Sequence, residues 1–274
     1  MATPGDPSPA DSSSSLDVLG GSSIDAVRAE IEAILAADES VLGEVFRRTR
    51  AGETPAQIQA ARRLAYPNFV YNYLRTVEAL LGTELPAAPT VALGVARTFR
   101  RILKRTDLSV SARGVLQAKL AFLELAGTNE VARVAEDVEA RGRTSDAEAR
   151  AIPGIYVYAL PHYIRFPYDV DSGRTLFKVG RSDRPVIQRF REQTRTTALP
   201  EDPVLLRIYP ADSDGGVLRE RQFHTLLEAA DHARSSARTG GTEWFLTTIT
   251  FLDAIAATLG MEVVEVNDTV VDAV

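Results

Sequence analysis

The sequence contains no cysteine, two methionines and a single tryptophan. Without thiols there is no disulfide framework and no thiolate metal site, so a reducing cytoplasm is the expected compartment. No run of about 18 apolar residues occurs, which argues against a membrane-spanning helix. The first residues also lack the basic-then-apolar pattern of a leader. Lysine is nearly absent, 3 against 28 arginines. With abundant alanine, that ratio points to a GC-rich bacterial genome and carries no functional message. Positive charge is in deficit overall, at −6 with a pI near 5.3, unlike a uniformly basic nucleic-acid binder.

What is present fits a folded chain: 45% hydrophobic and 25% charged residues over 274 positions, enough for one large domain or two small ones. Residues 1–21 are rich in Ser, Pro, Gly and Asp, and read as a disordered tail. From Ser22 the spacing becomes helical, with Ser23 as a cap and Ile24, Val27, Ile31 and Ile34 recurring. Thr54-Pro55 opens a helix to about Ala65, and Tyr66-Pro67 breaks it. A second helix runs from about Asn68 to Leu81, and Gly82 ends it. Helices are also expected near 90–105 and 110–126, the latter with Leu116, Leu120 and Leu123 on one face. Residues 22–127 thus form an all-helical domain, and a polar helix near 129–142 serves as a spacer within a 128–152 linker.

Two features of this half raise nucleic acid. Segment 54–81 has a helix–turn–helix look, with Ile58, Ala61, Leu64, Val70 and Leu74 roughly on an inner face. Its turn holds Pro67 and lacks the usual glycine, and any helical bundle contains such pairs. Arg97, Arg100, Arg101, Lys104 and Arg105 make either a phosphate stripe or the wet side of a helix.

After Pro153 the periodicity changes. "GIYVYAL", "LFKVG", "VLLRIY" and "EWFL" are short, β-branched or aromatic runs that read as strands. Helices fall on "RPVIQRFREQT", on "GVLRERQFHTLLEAADHA" with Leu218, Phe223, Leu226 and Leu227 inward, and on "FLDAIAATLG". The order β-β-α-β-α-β-α is a small α/β domain at 153–262 whose sheet begins with a hairpin, and 263–274 reads as a tail. Residues 174–195 carry Arg174, Lys178, Arg181, Arg184, Arg189, Arg191 and Arg195 against Asp183 and Glu192, a +5 patch in an acidic chain. Glu220 and His224 share a helix face at i,i+4, either around a metal or as a simple exposed pair.

Gly154-Ile155-Tyr156, then Lys178-Val179-Gly180, Arg189, Glu220 and "TEWF" follow one another in an order that resembles the GIY-YIG nuclease superfamily. "FKVGRS", "QRF" and "LRERQFHTLL" resemble its phage-type DNA-binding branch more narrowly. The resemblance covers about 154–247. It implies that Tyr156 contacts or activates the attacking water, Lys178 stands where the second tyrosine would, Arg189 binds the scissile phosphate, and Glu220 holds one divalent cation. Phosphodiester cleavage needs those parts, and Mg²⁺ or Mn²⁺ suits a single carboxylate completed by waters and phosphate. A tyrosine of pKa near ~10 serves as a base only beside cations such as Lys178 and Arg189. The departures are Lys178 itself and the 21 residues between Tyr156 and Lys178, about twice the family's spacing. A late asparagine is also lacking, and only Glu243 stands near its place.

The expected fold is therefore α+β: an all-helical N-terminal domain, then a GIY-YIG-like domain with a short central antiparallel sheet flanked by helices. The expected function is a divalent-metal-dependent DNA endonuclease, with a non-cleaving DNA-binding or regulatory protein as the alternative. Tyr156, Lys178, Arg189, Glu220 and His224 are the catalytic candidates, Glu220 the metal ligand, and Arg181, Arg184, Arg191 and Arg195 the DNA contacts. No membrane partner is expected, and homodimerisation through the helical domain is left open.

Overall fold

The computed structural model describes residues 21–62, 68–170, 172–182, 201–211, 213–232 and 243–267. Seven helices come first: α1 Gly21–Ala37, α2 Val41–Arg50, α3 Pro55–Ala61, α4 Asn68–Leu81, α5 Pro89–Leu103, α6 Val110–Gly127 and α7 Glu130–Ala149. β1 Gly154–Ala159, α8 Pro161–Arg165, β2 Thr175–Ser182, β3 Val204–Pro210, α9 Ser213–Ala229, β4 Trp244–Thr247, α10 Ile249–Thr258 and β5 Val264–Glu265 follow. The architecture is the expected α+β one. No helix among the described residues is long and apolar enough to cross a membrane.

Local chemistry sets the helix ends. Thr54 and Gln57 form a reciprocal capping box at α3 with Pro55 in the first turn. Ser109 caps α6 by accepting from the Ala112 amide at 3.1 Å. Ala88 offers α5 no side-chain cap. Glu136 of α7 supplies it instead, accepting from the Thr90 amide at 3.1 Å and its hydroxyl at 2.7 Å. At the C-terminal end of α4, Lys119 Nζ donates to the carbonyls of Ala79, Leu80 and Gly82 at 2.9, 3.0 and 2.7 Å. Helix α7 is longer than the expected spacer and packs on α5 and β3.

In α1 the buried face is Val27, Ile31 and Leu35, while Ile24 is exposed. Ile58 and Val70 are buried as the helix–turn–helix reading requires, but Ala61 is exposed. Leu64 and Pro67 lie outside the described residues. The α5 arginines are engaged at home. Arg97 is buried, and Arg100, Arg101 and Arg105 pair with Glu124, Asp38 and Asp107.

The sheet has the order β4-β2-β1-β3-β5, with every pairing antiparallel. Its hairpin β1–β2 sets Tyr156 opposite Gly180 and Tyr158 opposite Lys178. Alternation along β1 then divides the side chains. Ile155 and Val157 join the main core with Phe223 and Leu227 of α9 and Leu252 of α10. Tyr156 and Tyr158 face a second cluster with Ala147, Leu205 and Ile208, against which Trp244, Val264 and Val266 pack. The expected C-terminal tail therefore contributes β5 and the buried Asn267 to the sheet domain.

Candidate functional site

Two glycines of the motif are sterically required. Gly154 has φ +153°, and a Cβ there would lie 2.3 Å from the Tyr209 carbonyl oxygen of the adjoining strand. At Gly180 a Cβ would lie 2.5 Å from the Tyr156 hydroxyl oxygen. The missing side chain lets the Tyr156 ring lie across β2, so the pairing fixes where its hydroxyl rests. Tyr156 and Tyr158 stack with centroids 5.7 Å apart. Both are buried. The covering comes from Ala147 at the end of α7 and from the C-terminal segment.

Lys178 leaves β2 on the same face. Its Nζ sits 5.4 Å from the Tyr158 ring centroid and 3.3 Å from Glu243 Oε2. Lys178, expected at the place of a second tyrosine, is thus paired with Glu243.

Among the described residues, strand β4 pairs with β2 only as far as Trp244 opposite Lys178. The Val179 amide still donates to the Glu243 carbonyl at 2.9 Å. The Val179 carbonyl is met by His224 Nε2 at 3.3 Å. A carbonyl only accepts, so in this contact His224 donates from Nε2. The same ring packs on Phe245 at 4.8 Å. Glu220 lies beside it in a groove with Arg221, Thr225, Glu228 and Glu243. Arg181, next along β2, lies against the start of α9, where a Cβ at Gly216 would be 3.0 Å from its Nε.

The described candidates border the same stretch of β2, but on two opposite faces of the sheet. Tyr156 and Lys178 come from the tyrosine face. Glu220 and His224 come from α9, whose Phe223 and Leu227 pack on the other face. Leu218 and Leu226, expected inward, are exposed. Glu220, His224 and Glu228, each about one turn from the next, instead form a polar row along α9 that lines this groove, a pattern legible in the sequence. Arg189, Arg184, Arg191 and Arg195 lie outside the described residues. Arg174, counted in the basic patch, turns inward to the Asp231 carbonyl and His232 Nε2.

The donor set for a cation is sparse. Among the described residues no group of three or more His, Asp or Glu side chains is arranged to hold a metal. Glu220, in an open polar groove that Glu228 and Glu243 also line, is compatible with an Mg²⁺-like ion that draws its remaining ligands from water and phosphate. A separate cavity of about 230 Å³, lined by Asn72, Tyr73, Thr98, Arg101, Arg165 and Asn267 among others, lies between the helical half and the sheet. It contains none of these candidates.

No curated protein and no solved structure matches the chain. Residues 155–260, spanning β1 through α10, match the family model of the T5orf172 domain, a domain found in phage-type, GIY-YIG-like and HNH-like nucleases.

Proposed function

We propose that the chain is a divalent-metal-dependent DNA endonuclease of GIY-YIG type, acting around the C-terminal end of β2. The observation that carries this reading is the seating of the Tyr156 hydroxyl on Gly180 of β2, the strand that also carries Lys178 and Arg181 and receives His224 of α9 at its Val179 carbonyl. In the proposed reaction a phosphodiester lies over the end of β2. Lys178 and Arg181 bind its non-bridging oxygens, with Arg189 expected on the scissile phosphate. Tyr156, acting as its phenolate, takes a proton from the attacking water as the water oxygen bonds to phosphorus; the P–O bond to the departing sugar oxygen breaks, and that oxygen takes a proton from solvent. His224 is held by the Val179 carbonyl and keeps its ring beside Glu220. Glu220 would hold Mg²⁺ or Mn²⁺, which when bound polarises the phosphate and steadies the leaving oxygen.

The test is nicking of supercoiled plasmid in Mg²⁺, Mn²⁺ or EDTA. Glu220→Ala should abolish metal-dependent nicking and leave DNA binding in EDTA nearly unchanged. His224→Ala should be milder, because its ring only supports the carboxylate. Cleavage by Glu220→Ala at the wild-type rate would overturn the assignment.

A second reading, a DNA-binding or regulatory protein that cleaves nothing, is favoured by two observations. Tyr156 is fully buried, and Lys178 is neutralised by Glu243. DNA binding without cleavage in any divalent metal supports it over the first. The helical half is then a DNA-contacting or partner-contacting unit.

A further inference from the structure

Helix α6 spends apolar residues on two opposite faces. Ala112, Leu116, Leu123 and Gly127 are buried, and the helix packs on α5 and α1. On the other side Val110, Gly114, Ala118, Ala121, Phe122 and Leu125 recur at intervals of three and four residues, and all are exposed. Val110 is 90% exposed, Leu125 73% and Phe122 47%. No charged residue interrupts the stripe. The solvent side of a surface helix is ordinarily polar, so an apolar one lacks its partner.

We propose that this face is the contact between two copies of the chain, paired antiparallel about a two-fold axis at Ala118. The sizes along the stripe are self-complementary. Nothing lies within 4 Å of a Cβ at Gly114. A two-fold at Ala118 carries the Phe122 ring of each copy onto that vacancy in the other. The small side chains at 118 and 121 let the helices approach closely at the centre.

Other occupants fit less well. Nucleic acid needs cations, and the stripe has none. Residues 1–20 offer Leu16, Val18 and Leu19 among serines, prolines and aspartates, too few to cover a helix face about 27 Å long. A face of that length presents roughly 400 Å² per copy, which points to a reversible dimer and not an obligate one. This gives the homodimer reading of the helical half a specific surface, and its failure would leave the nuclease reading untouched.

The absence of cysteine makes the test clean. Sedimentation equilibrium of the full chain at micromolar concentrations should show a monomer–dimer equilibrium built on 29.8 kDa units. Ala118→Glu, which sets two carboxylates face to face, should leave a monomer with an unchanged circular dichroism spectrum. Gly114→Leu fills the space that receives Phe122 and should weaken the dimer at least about tenfold, while open space around that position spares the fold. Ala118→Cys should form an inter-chain disulfide on mild oxidation, and Glu53→Cys, far along the chain from α6, should not. A strictly monomeric wild type would overturn the proposal. So would a dimer that survives both substitutions at 118 and 114, or one that Ala118→Cys does not cross-link.

Discussion

Two side chains are decided by single atoms. At Gly180 the space for a methyl group is already taken by the Tyr156 hydroxyl, 2.5 Å from where a Cβ would sit. Gly180→Ala should therefore push the ring off β2 and reduce nicking as severely as Tyr156→Phe, which removes only the oxygen. For Tyr156→Phe the expected loss in rate is about 10²–10⁴-fold with the fold retained, the usual worth of a placed proton-transfer group. Intact nicking with a lowered melting temperature would instead mark the hydroxyl as structural. His232 is the second case. Its Nε2 faces Arg174 at 3.3 Å and its Nδ1 faces Thr247 Oγ1 at 2.6 Å. Arginine only donates, so Nε2 accepts and Nδ1 carries the proton. The ring also stacks on Phe251 at 4.0 Å. Burial, then the Arg174 charge, pushes the imidazole pKa below its ordinary value. The unfolded chain therefore takes up this proton first on acidification. The stability tied to neutral His232 is complete above about pH 6.5 and declines as pH falls from there to the lowered folded value. Thermal melts across pH 8 to 5 should show that decline, and His232→Asn should flatten it.

At the scale of elements, termini are supported from elsewhere in the chain. Lys119 of α6 serves the last carbonyls of α4 across a long stretch of sequence. Burial draws its ammonium pKa downward, while three oxygens at a helix's negative end favour the charged form. Lys119→Met keeps the aliphatic stem and leaves those carbonyls unserved, so chemical denaturation should report a loss of about 1–3 kcal/mol. A midpoint unchanged from wild type would mean water replaces the ammonium without cost. Elements of this kind were partly legible. The Thr54 box and its proline announce α3, and alternation in "GIYVYAL" places Ile155 and Val157 on the helix side. Helix α2 escapes notice because its buried set, Leu42, Val45 and Phe46, is short and interrupted by Gly43. The inward face of α9 was misassigned because Leu218 and Leu226 are apolar yet exposed, and the row containing Glu220 flanks the true one. Helix α8 and strand β5 are too short to leave a periodic trace.

Over the whole molecule the two halves are joined by buried polar groups that no spacing could reveal. Arg207 on β3 pairs with Asp253 on α10 at 3.3 Å, both wholly buried, and Tyr209 donates to the same carboxylate at 2.8 Å. Arg207 also donates to the Asn267 carbonyl at 2.7 Å. The Asn267 amide donates to Leu205 of β3 at 2.8 Å and Thr144 of α7 at 3.1 Å, and its oxygen accepts from Arg143 at 2.8 Å. Helix, sheet and C-terminal segment thus share one network, whose partners lie far apart in sequence. Asp253→Ala would leave a buried guanidinium without its counter-charge, and a loss of about 3–5 kcal/mol is expected in guanidinium-chloride unfolding. A change under about 1 kcal/mol would show that water reaches Arg207.

The order β4-β2-β1-β3-β5 puts the two shortest strands, four and two residues long, at the rims of the sheet. Where β4 gives out, His224 occupies the carbonyl that an incoming strand would seek. Among the described residues the open amides and carbonyls at either rim come in short stretches, a poor track for a foreign polypeptide to extend along, so the sheet is a weak seed for fibrils even in a crowded cell.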